Sequence, residues 1–456
     1  MNSRSACRSV VVVVVVWLGC FCQESWSRGP EDLEQNAAVQ RFRSYLRIPT
    51  VQPEPDYGPA IAFLLGQAQE VGLAARVLEF VAKKPLLVMT WKGSSQQKLP
   101  SVILNSHMDV VPVEEEKWIY PPFAAHMDED GNIFARGSQD MKVVGMMYLE
   151  AIRLLKARGW APVRDLHVLW VPDEEIGGND GWGKFAESQE FADLNAGIVL
   201  DEGHISYNQT YIVDYGEKAM WWLVIQAFGG TGHGSIYFDN SASENLFKSI
   251  ASINAFRESQ MNLVKAGIKP LEEVVVVNSV FLKSGSPTPD GFTMNIQPSV
   301  VEAGFDVRVP PVAEMGAFMN KRIAEEWAPK SRNMSYYFTV KTETKNGDVP
   351  VTIADDSNPW WTLLKKAVSK FNSTLSPEIA NGASDSRFAR MQGVSALGIT
   401  AIQDVPFLIH SDNEVMNGYE FLKGIKVVEE IIDLYGSFSG SLPSAREQVS
   451  ETLSTL

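Results

Sequence analysis

The stretch that decides the fold is His167-Val-Leu-Trp-Val-Pro-Asp-Glu-Glu-Ile-Gly-Gly178. An apolar run of strand length stops at a proline, and three acids and a pair of glycines follow. A short continuous apolar run reads as a strand buried on both faces, and paired glycines read as a turn. Adjacent ionised acids repel one another and are costly against apolar surface. A positive group opposite them, or a proton on one of them, is therefore required. The same pattern recurs along the chain. Val102-Ile-Leu104 runs into Asn105-Ser106-His107, and Ala196–Leu200 runs into Asp201-Glu202. In open parallel sheets ligands bind beyond the carboxyl ends of strands, where His107, Glu174, Glu175, Asp201 and Glu202 all fall.

Around these strands the apolar spacing predicts helices over Asn36–Leu46, Pro59–Val71 and Val143–Ala157, and further strands over Arg76–Phe80 and Leu86–Trp91. Strands alternating with helices give an α/β class, a mostly parallel sheet covered on both faces. The pattern changes between Tyr215 and about Thr342. Strand Met220–Phe228 is followed by helix Asn245–Glu258, strands Glu273–Leu282, Thr293–Gln297 and Val301–Val309, helix Ala313–Trp327 and strand Ser335–Thr342. That order suits a small α+β domain of ferredoxin-like type. The helix Trp360–Phe371 and the strand Ala396–Ile399 then return the chain to the first domain. The expected organisation is a leader over 1–27, a catalytic domain in two segments, 28–214 and 343–440, an inserted lid over 215–342, and a polar tail over 441–456.

The leader reading rests on Arg4 and Arg8 ahead of a thirteen-residue apolar core, Val10–Cys22. A membrane span needs about 20 such residues, whereas a secretory signal needs fewer. Ser25-Trp26-Ser27 offers a small-residue cleavage site; an uncleaved anchor is the alternative. All three cysteines, Cys7, Cys20 and Cys22, lie in this segment. The mature chain then has no disulfide, thiol nucleophile or cysteine metal site. Export makes the sequons at Asn208, Asn333 and Asn372 usable for glycosylation. A net charge of −15 over 456 residues argues against nucleic acid and anionic membrane surfaces as partners.

The chain has six histidines. On an extended strand His107 and Asp109 face the same way, so Asp109 is placed to fix the tautomer of His107 and aim its other nitrogen at a metal. Further candidates are Asp140 in Arg136-Gly-Ser-Gln-Asp140-Met-Lys142, the Glu174-Glu175 pair, Asp201-Glu202, and His410 in Ile409-His410-Ser-Asp-Asn-Glu414. Histidines and carboxylates without cysteine suit two divalent, zinc-like ions. Paired ions about 3.5–4 Å apart need a shared carboxylate. One of Glu174 and Glu175 then binds metal while the other serves as general base toward an attacking water.

The motifs "LNSHMDVVP", "PPFAAHMDEDGNIFARGSQDMK", "VPDEEIGG", "GIVLDEG", "DDSNPWW" and "IHSDNE" occur here in a familiar order. The sequence resembles the aminoacylase branch of the dinuclear zinc exopeptidases, the N-acyl-L-amino-acid amidohydrolases, from about residue 35 to 435. The resemblance implies two zinc ions per chain, with cobalt or manganese as substitutes. His107 and Glu202 would complete one site and Glu175 and His410 the other. Asp140 would bridge them, Glu174 would be the base, and Asp109 would support His107. Asp201 is the alternative to Glu202. His233 would reach from the lid into the partner subunit of a homodimer and steady the oxyanion. Its surroundings depart from the family's Gly-x-Pro-Gly-His-Ala pattern, with Thr231 for the proline and Gly234 for the alanine. Arg387 and Asn295 would hold the substrate's carboxylate end. His126, His167 and His204 have structural or surface readings, with His204 near the edge of the site. The implied activity is hydrolysis of N-acyl-L-amino acids by a secreted enzyme. A carboxypeptidase, a dipeptidase or a long-chain acyl-amino-acid hydrolase on the same scaffold, and an inactive binding protein, are the alternatives.

Overall fold

The structure is a computed structural model that describes residues 30–206, 208–343, 347 and 349–440. The expected leader, its cysteines and the tail over 441–456 lie outside the described residues. The main sheet has eight strands. Their spatial order is Ala74–Val81, Lys84–Trp91, Leu166–Val171, Ser101–His107, Ala196–Asp201, Ser395–Gly398, Thr210–Glu217 and Thr374–Ala380. The four middle strands from Leu166–Val171 to Ser395–Gly398 run parallel. Thr374–Ala380 is also parallel to Thr210–Glu217, whereas the first pair of strands is antiparallel.

The strands Leu166–Val171, Ser101–His107 and Ser395–Gly398 are buried throughout, and the side chains of the central parallel strands alternate between two cores. Val102, Leu104, Val168, Trp170, Ile198 and Leu200 face one core, against helices Ala37–Leu46, Lys142–Ala157 and Gly418–Ser437. Ile103, Leu169, Val171 and Val199 face the other, with Trp182, Phe185 and Phe191. This two-sided burial is why the strands read as continuous apolar runs. It also leaves only the strand ends available for polar work.

A second sheet of four antiparallel strands has the order Val276–Lys283, Val300–Val309, Ala219–Phe228, Met334–Lys341. With the helices Ala242–Lys265 and Met315–Arg322 it packs around a separate apolar core that includes Trp221 and Trp327. Chain order and strand order are those of a ferredoxin-like unit.

Several expectations are adjusted. The central-sheet strand Thr210–Glu217 extends through Glu217, so the expected boundary at 214 falls inside it. The strand expected over Thr293–Gln297 shortens to Ile296–Gln297, which pairs only with Gly232–His233. Helix Asn245–Glu258 lengthens to Ala242–Lys265, capped by the Ser241 hydroxyl. Among the described residues no helix is long and apolar enough to cross a membrane.

Helix Lys142–Ala157 approaches the decisive strand closely at Gly145. A Cβ there would lie 2.4 Å from the Trp170 ring and 2.6 Å from the Ser106 hydroxyl. Gly145→Ala is therefore expected to destabilise the fold by about 1–3 kcal/mol through overpacking, despite alanine's better helix propensity. Urea unfolding checks this; a variant as stable as the wild type would contradict the close packing.

Candidate metal centre

His107 is the last residue of its strand and is fully buried. Asp140 lies just before helix Lys142–Ala157, and Glu202 directly follows strand Ala196–Asp201. After Leu166–Val171 the chain turns at Asp173, φ 61°, and enters a short helical turn, Glu174–Ile176. His410, φ 59°, sits on the loop that leads to Val415–Asn417. Five separate segments thus converge at one end of the sheet.

Asp140 is the centre of the group. One carboxylate oxygen is 2.9 Å from His107 Nε2 and the other is 3.0 Å from His410 Nε2. Glu202 lies 3.7 Å from His107, and Glu175 lies 3.0 Å from His410. Two triads result, His107–Asp140–Glu202 and Asp140–Glu175–His410, and within each the ligand atoms lie within 4.8 Å of one another. The acids of the opening stretch diverge. Asp173 turns inward, accepting from the amides of Asp180 and Gly181 and pairing with Lys84. Glu174 and Glu175 head the next turn, and both of their backbone amides donate to the Asp109 carboxylate, at 3.2 and 3.1 Å.

Asp109 therefore does more than the sequence suggests. Its carboxylate organises the Glu174–Glu175 turn and accepts from Gln52 at 2.7 Å. His107 Nδ1 lies 3.4 Å from that carboxylate but 2.9 Å from the Asp109 carbonyl oxygen, which is the better acceptor. The backbone carbonyl is thus the nearer partner of Nδ1, and the carboxylate, held by the two amides and Gln52, supports the imidazole from just behind it.

Residues that the sequence reading passed over hold the frame. Buried Glu414 pairs with Arg136 at 2.7 Å and accepts from the amides of Gly137, Gln139 and Asp140. Arg136 also donates to the carbonyl oxygens of His410 and Ser411. This one ion pair ties the Asp140 loop to the His410 loop. The available signal was the acid that ends "IHSDNE" and the arginine that begins "RGSQD", two charges inside ligand motifs. His204 lies at the rim, with Nδ1 3.0 Å from both Asp214 oxygens.

Two expected substrate contacts sit differently. Arg387 is 3% exposed; one terminal nitrogen donates to the Gly177 carbonyl at 2.6 Å and the other to the Ser384 carbonyl. Its fork is engaged with backbone and joins two loops. His233, at the end of Gly232–His233, and Asn295, in the turn just before Ile296–Gln297, are both exposed, and Gly234 N–H donates to Asn295 O at 2.7 Å. Among the described residues no hydrogen bond or ion pair joins either to the five clustered side chains.

The electrostatics are those of an excess of negative charge. Burial and neighbouring Asp140 push Glu202 up to about 8 and Glu175 up to about 7. Burial and then Glu202 hold Glu174 well above its usual range. Hydrogen bonds to Asp140 and Glu175 raise His410 to about 10. Burial opposes ionisation of His107, but Glu202, Asp109 and Asp140 outweigh it and hold the imidazole well above its usual value. Burial also penalises the Asp140 carboxylate, yet the two imidazoles pull it well below the usual range. Among the described residues the buried Glu175 Oε1 has no hydrogen-bond partner. Nitrogen and oxygen donors arranged as two triads with a shared carboxylate fit a pair of divalent ions.

Fold and site together define a metal-dependent hydrolase. Residues 103–434 match the model of peptidase family M20/M25/M40, and the chain belongs to that family. It is 39% identical to aminoacylase-1 of Mus musculus over 413 residues, 90% of this chain and 98% of that protein. It is 38% identical to aminoacylase-1 of Homo sapiens over 419 residues, 92% and 99% of the two chains. Among solved structures, the M20 family metallo-carboxypeptidase of Sulfolobus solfataricus superposes with a TM-score of 0.64 at 18% identity, covering 88% of this chain and 99% of its own. Human carnosine dipeptidase 1 gives 0.60 at 14% identity, covering 89% and 98%.

Two expectations follow. Glu414→Gln leaves Arg136 buried without a counter-charge and should cost about 3–5 kcal/mol. Urea unfolding of the variant checks this, and a loss under about 1 kcal/mol would contradict the clasp. The second concerns pH. The metal-free folded state holds protons on Glu202, Glu175 and His410 above the pH at which the unfolded chain releases them. Their stabilisation is complete below the unfolded values and is lost as pH rises through about 7, 8 and 10 in turn. Chelated protein should thus lose stability from pH 6 to 10, and added divalent metal should flatten that slope. A chelated protein that gains stability over this range would contradict the charge balance.

Proposed function

We propose that the chain hydrolyses the amide bond of N-acyl-L-amino acids to a carboxylate and a free L-amino acid at a two-zinc centre. The observation that carries this reading is the pair of triads sharing Asp140, with Glu174 beside them. His107, Asp140 and Glu202 would hold one ion, and Asp140, Glu175 and His410 the other. The chemistry such ions supply is polarisation of the carbonyl and activation of water. Glu174 is the general base. A carboxylate raised by burial takes a proton readily from the attacking water and returns it to the leaving amine. Nearby positive charge keeps it ionised for the first step.

Arg387 and Asn295 hold the substrate's carboxylate end in this reading. Arg387 does so with the guanidinium edge left over from its two backbone bonds, so it both places and receives. His233 steadies the oxyanion of the neighbouring subunit. Its exposure on the ribbon supports this role, as do the exposed Val280, Phe292 and Met294 on the same unit, which suit a homodimer contact. The expected leader makes the enzyme secreted, with Asn208, Asn333 and Asn372 exposed for glycosylation.

Purified mature chain should release methionine from N-acetyl-L-methionine, lose this activity to a chelator and regain it with zinc. Glu174→Gln should lower turnover by about 100-fold or more while the metal stays bound. Near-normal turnover of that variant would overturn the base assignment. Hydrolysis of dipeptides or fatty-acyl amino acids in place of the acetylated substrate would move the substrate class.

A further inference from the structure

The central sheet hands over to the second unit through a single residue. Strand Thr210–Glu217 ends and Ala219–Phe228 begins on either side of Lys218. Glu217 and Lys218 are 4% and 1% exposed. Lys218 donates from its backbone to Ala380 O, at the end of the edge strand, and from Nζ to Leu271 O in the second unit at 2.6 Å. Glu217 points the other way. Its carboxylate accepts from Arg390 at 2.8 Å and from the Ser384 amide at 2.5 Å.

Ser384 begins the segment that touches both ligand loops. The Ser386 hydroxyl donates to Asp201 Oδ2 at 3.1 Å, and Asp201 Oδ1 accepts from the Glu202 amide at 2.9 Å. Arg387 donates to Gly177 O, and Gly177 N–H closes the Glu174 turn at 2.8 Å. The two loops meet at Gly178, φ 60°, where a Cβ would lie 2.3 Å from Asp385 Oδ1. A small displacement of Ser384–Arg387 is therefore passed to the Glu202 peptide and the Glu174–Glu175 turn together.

We propose that Glu217 is a positioning residue for the metal centre. Its carboxylate fixes the Ser384–Arg387 segment from the crossover between the two units, and that segment aims Glu202 and the Glu174–Glu175 turn. The proposal rests on the reading of those three as ligands and base. Partners behind metal ligands influence affinity or activity by about 10–100-fold, and sub-ångström errors in placement are felt in turnover.

The test uses the full chain with Glu217→Gln, which keeps shape and removes charge, with Ser386→Ala as the milder second variant. Glu150→Gln breaks another, partly buried ion pair at 2.6 Å, between Arg41 on Ala37–Leu46 and Glu150 on Lys142–Ala157, and serves as control. Zinc affinity of chelated protein is read by competition with a chromophoric chelator, and kcat with N-acetyl-L-methionine. Glu217→Gln should weaken zinc binding or kcat by about tenfold or more, Ser386→Ala should move the same quantity, and the double variant should be no worse than the poorer single. The control should stay within about twofold. Overturning results are wild-type zinc affinity and kcat in Glu217→Gln, effects that multiply in the double variant, or an equal loss in the control. Should Glu217→Gln fail to fold, Ser386→Ala decides alone, and unchanged values there overturn the proposal. A wild-type chain that takes up no zinc overturns the site reading itself; one that does, with variants indistinguishable from it, overturns only the clasp.

Discussion

Asp140 places one carboxylate oxygen 2.9 Å from His107 and the other 3.0 Å from His410. Glu202 and Glu175 stand on either side. Buried carboxylates this close cannot all be ionised without positive charge among them. The protein meets part of that need with the two imidazoles, and the rest falls to protons or to divalent ions. Much of the surrounding structure exists to keep this unfavourable arrangement in place. Asp173 and His410 hold left-handed backbone at its margin. Such conformations persist only where their surroundings over-determine them. Here the surroundings are the amides taken by Asp173 and the carbonyl oxygens held by Arg136.

The parallel sheet makes this possible by spending its side chains on two apolar cores and leaving its carboxyl ends free. His107, the Glu174 turn and Glu202 follow three neighbouring strands, so rigid pairing fixes their spacing. The remaining clustered side chains, Asp140 and His410, come from loops and need clasps. Glu414 and Arg136 join the Asp140 and His410 loops, while Ser386 and Arg387 join the Asp201 and Gly177 segments. Each clasp is a buried ion pair or a short set of buried hydrogen bonds, where the loss of one partner leaves another buried and unsatisfied.

Most of the strands were legible in the sequence, because two-sided burial leaves continuous apolar runs, and His107, Glu175 and Glu202 stand at or just past their ends, whereas Asp140 and His410 on their loops were singled out through the motifs around them. Strand Thr374–Ala380 was not legible. It contains Pro377, which argues against a central strand, and it lies at the sheet edge where proline is tolerated. Helix Gly418–Ser437, which buries Phe421, Ile425, Ile432 and Tyr435, carries helical apolar spacing that the reading left unassigned. Asp109 and Arg387 also make contacts that the sequence did not reveal. Sequence proximity suggests side-chain partners, but both groups bond mainly to backbone amides or carbonyls, and these have no sequence signature. The clasp through Glu414 joins segments about 275 residues apart and becomes visible only in three dimensions.

The most direct test is a crystal structure of the zinc-loaded protein with anomalous diffraction data at the zinc edge. The account predicts two peaks per chain about 3.5–4 Å apart, on either side of the Asp140 carboxylate, one beside His107 and Glu202 and one beside Glu175 and His410. A single peak, or zinc bound anywhere but these side chains, would contradict it.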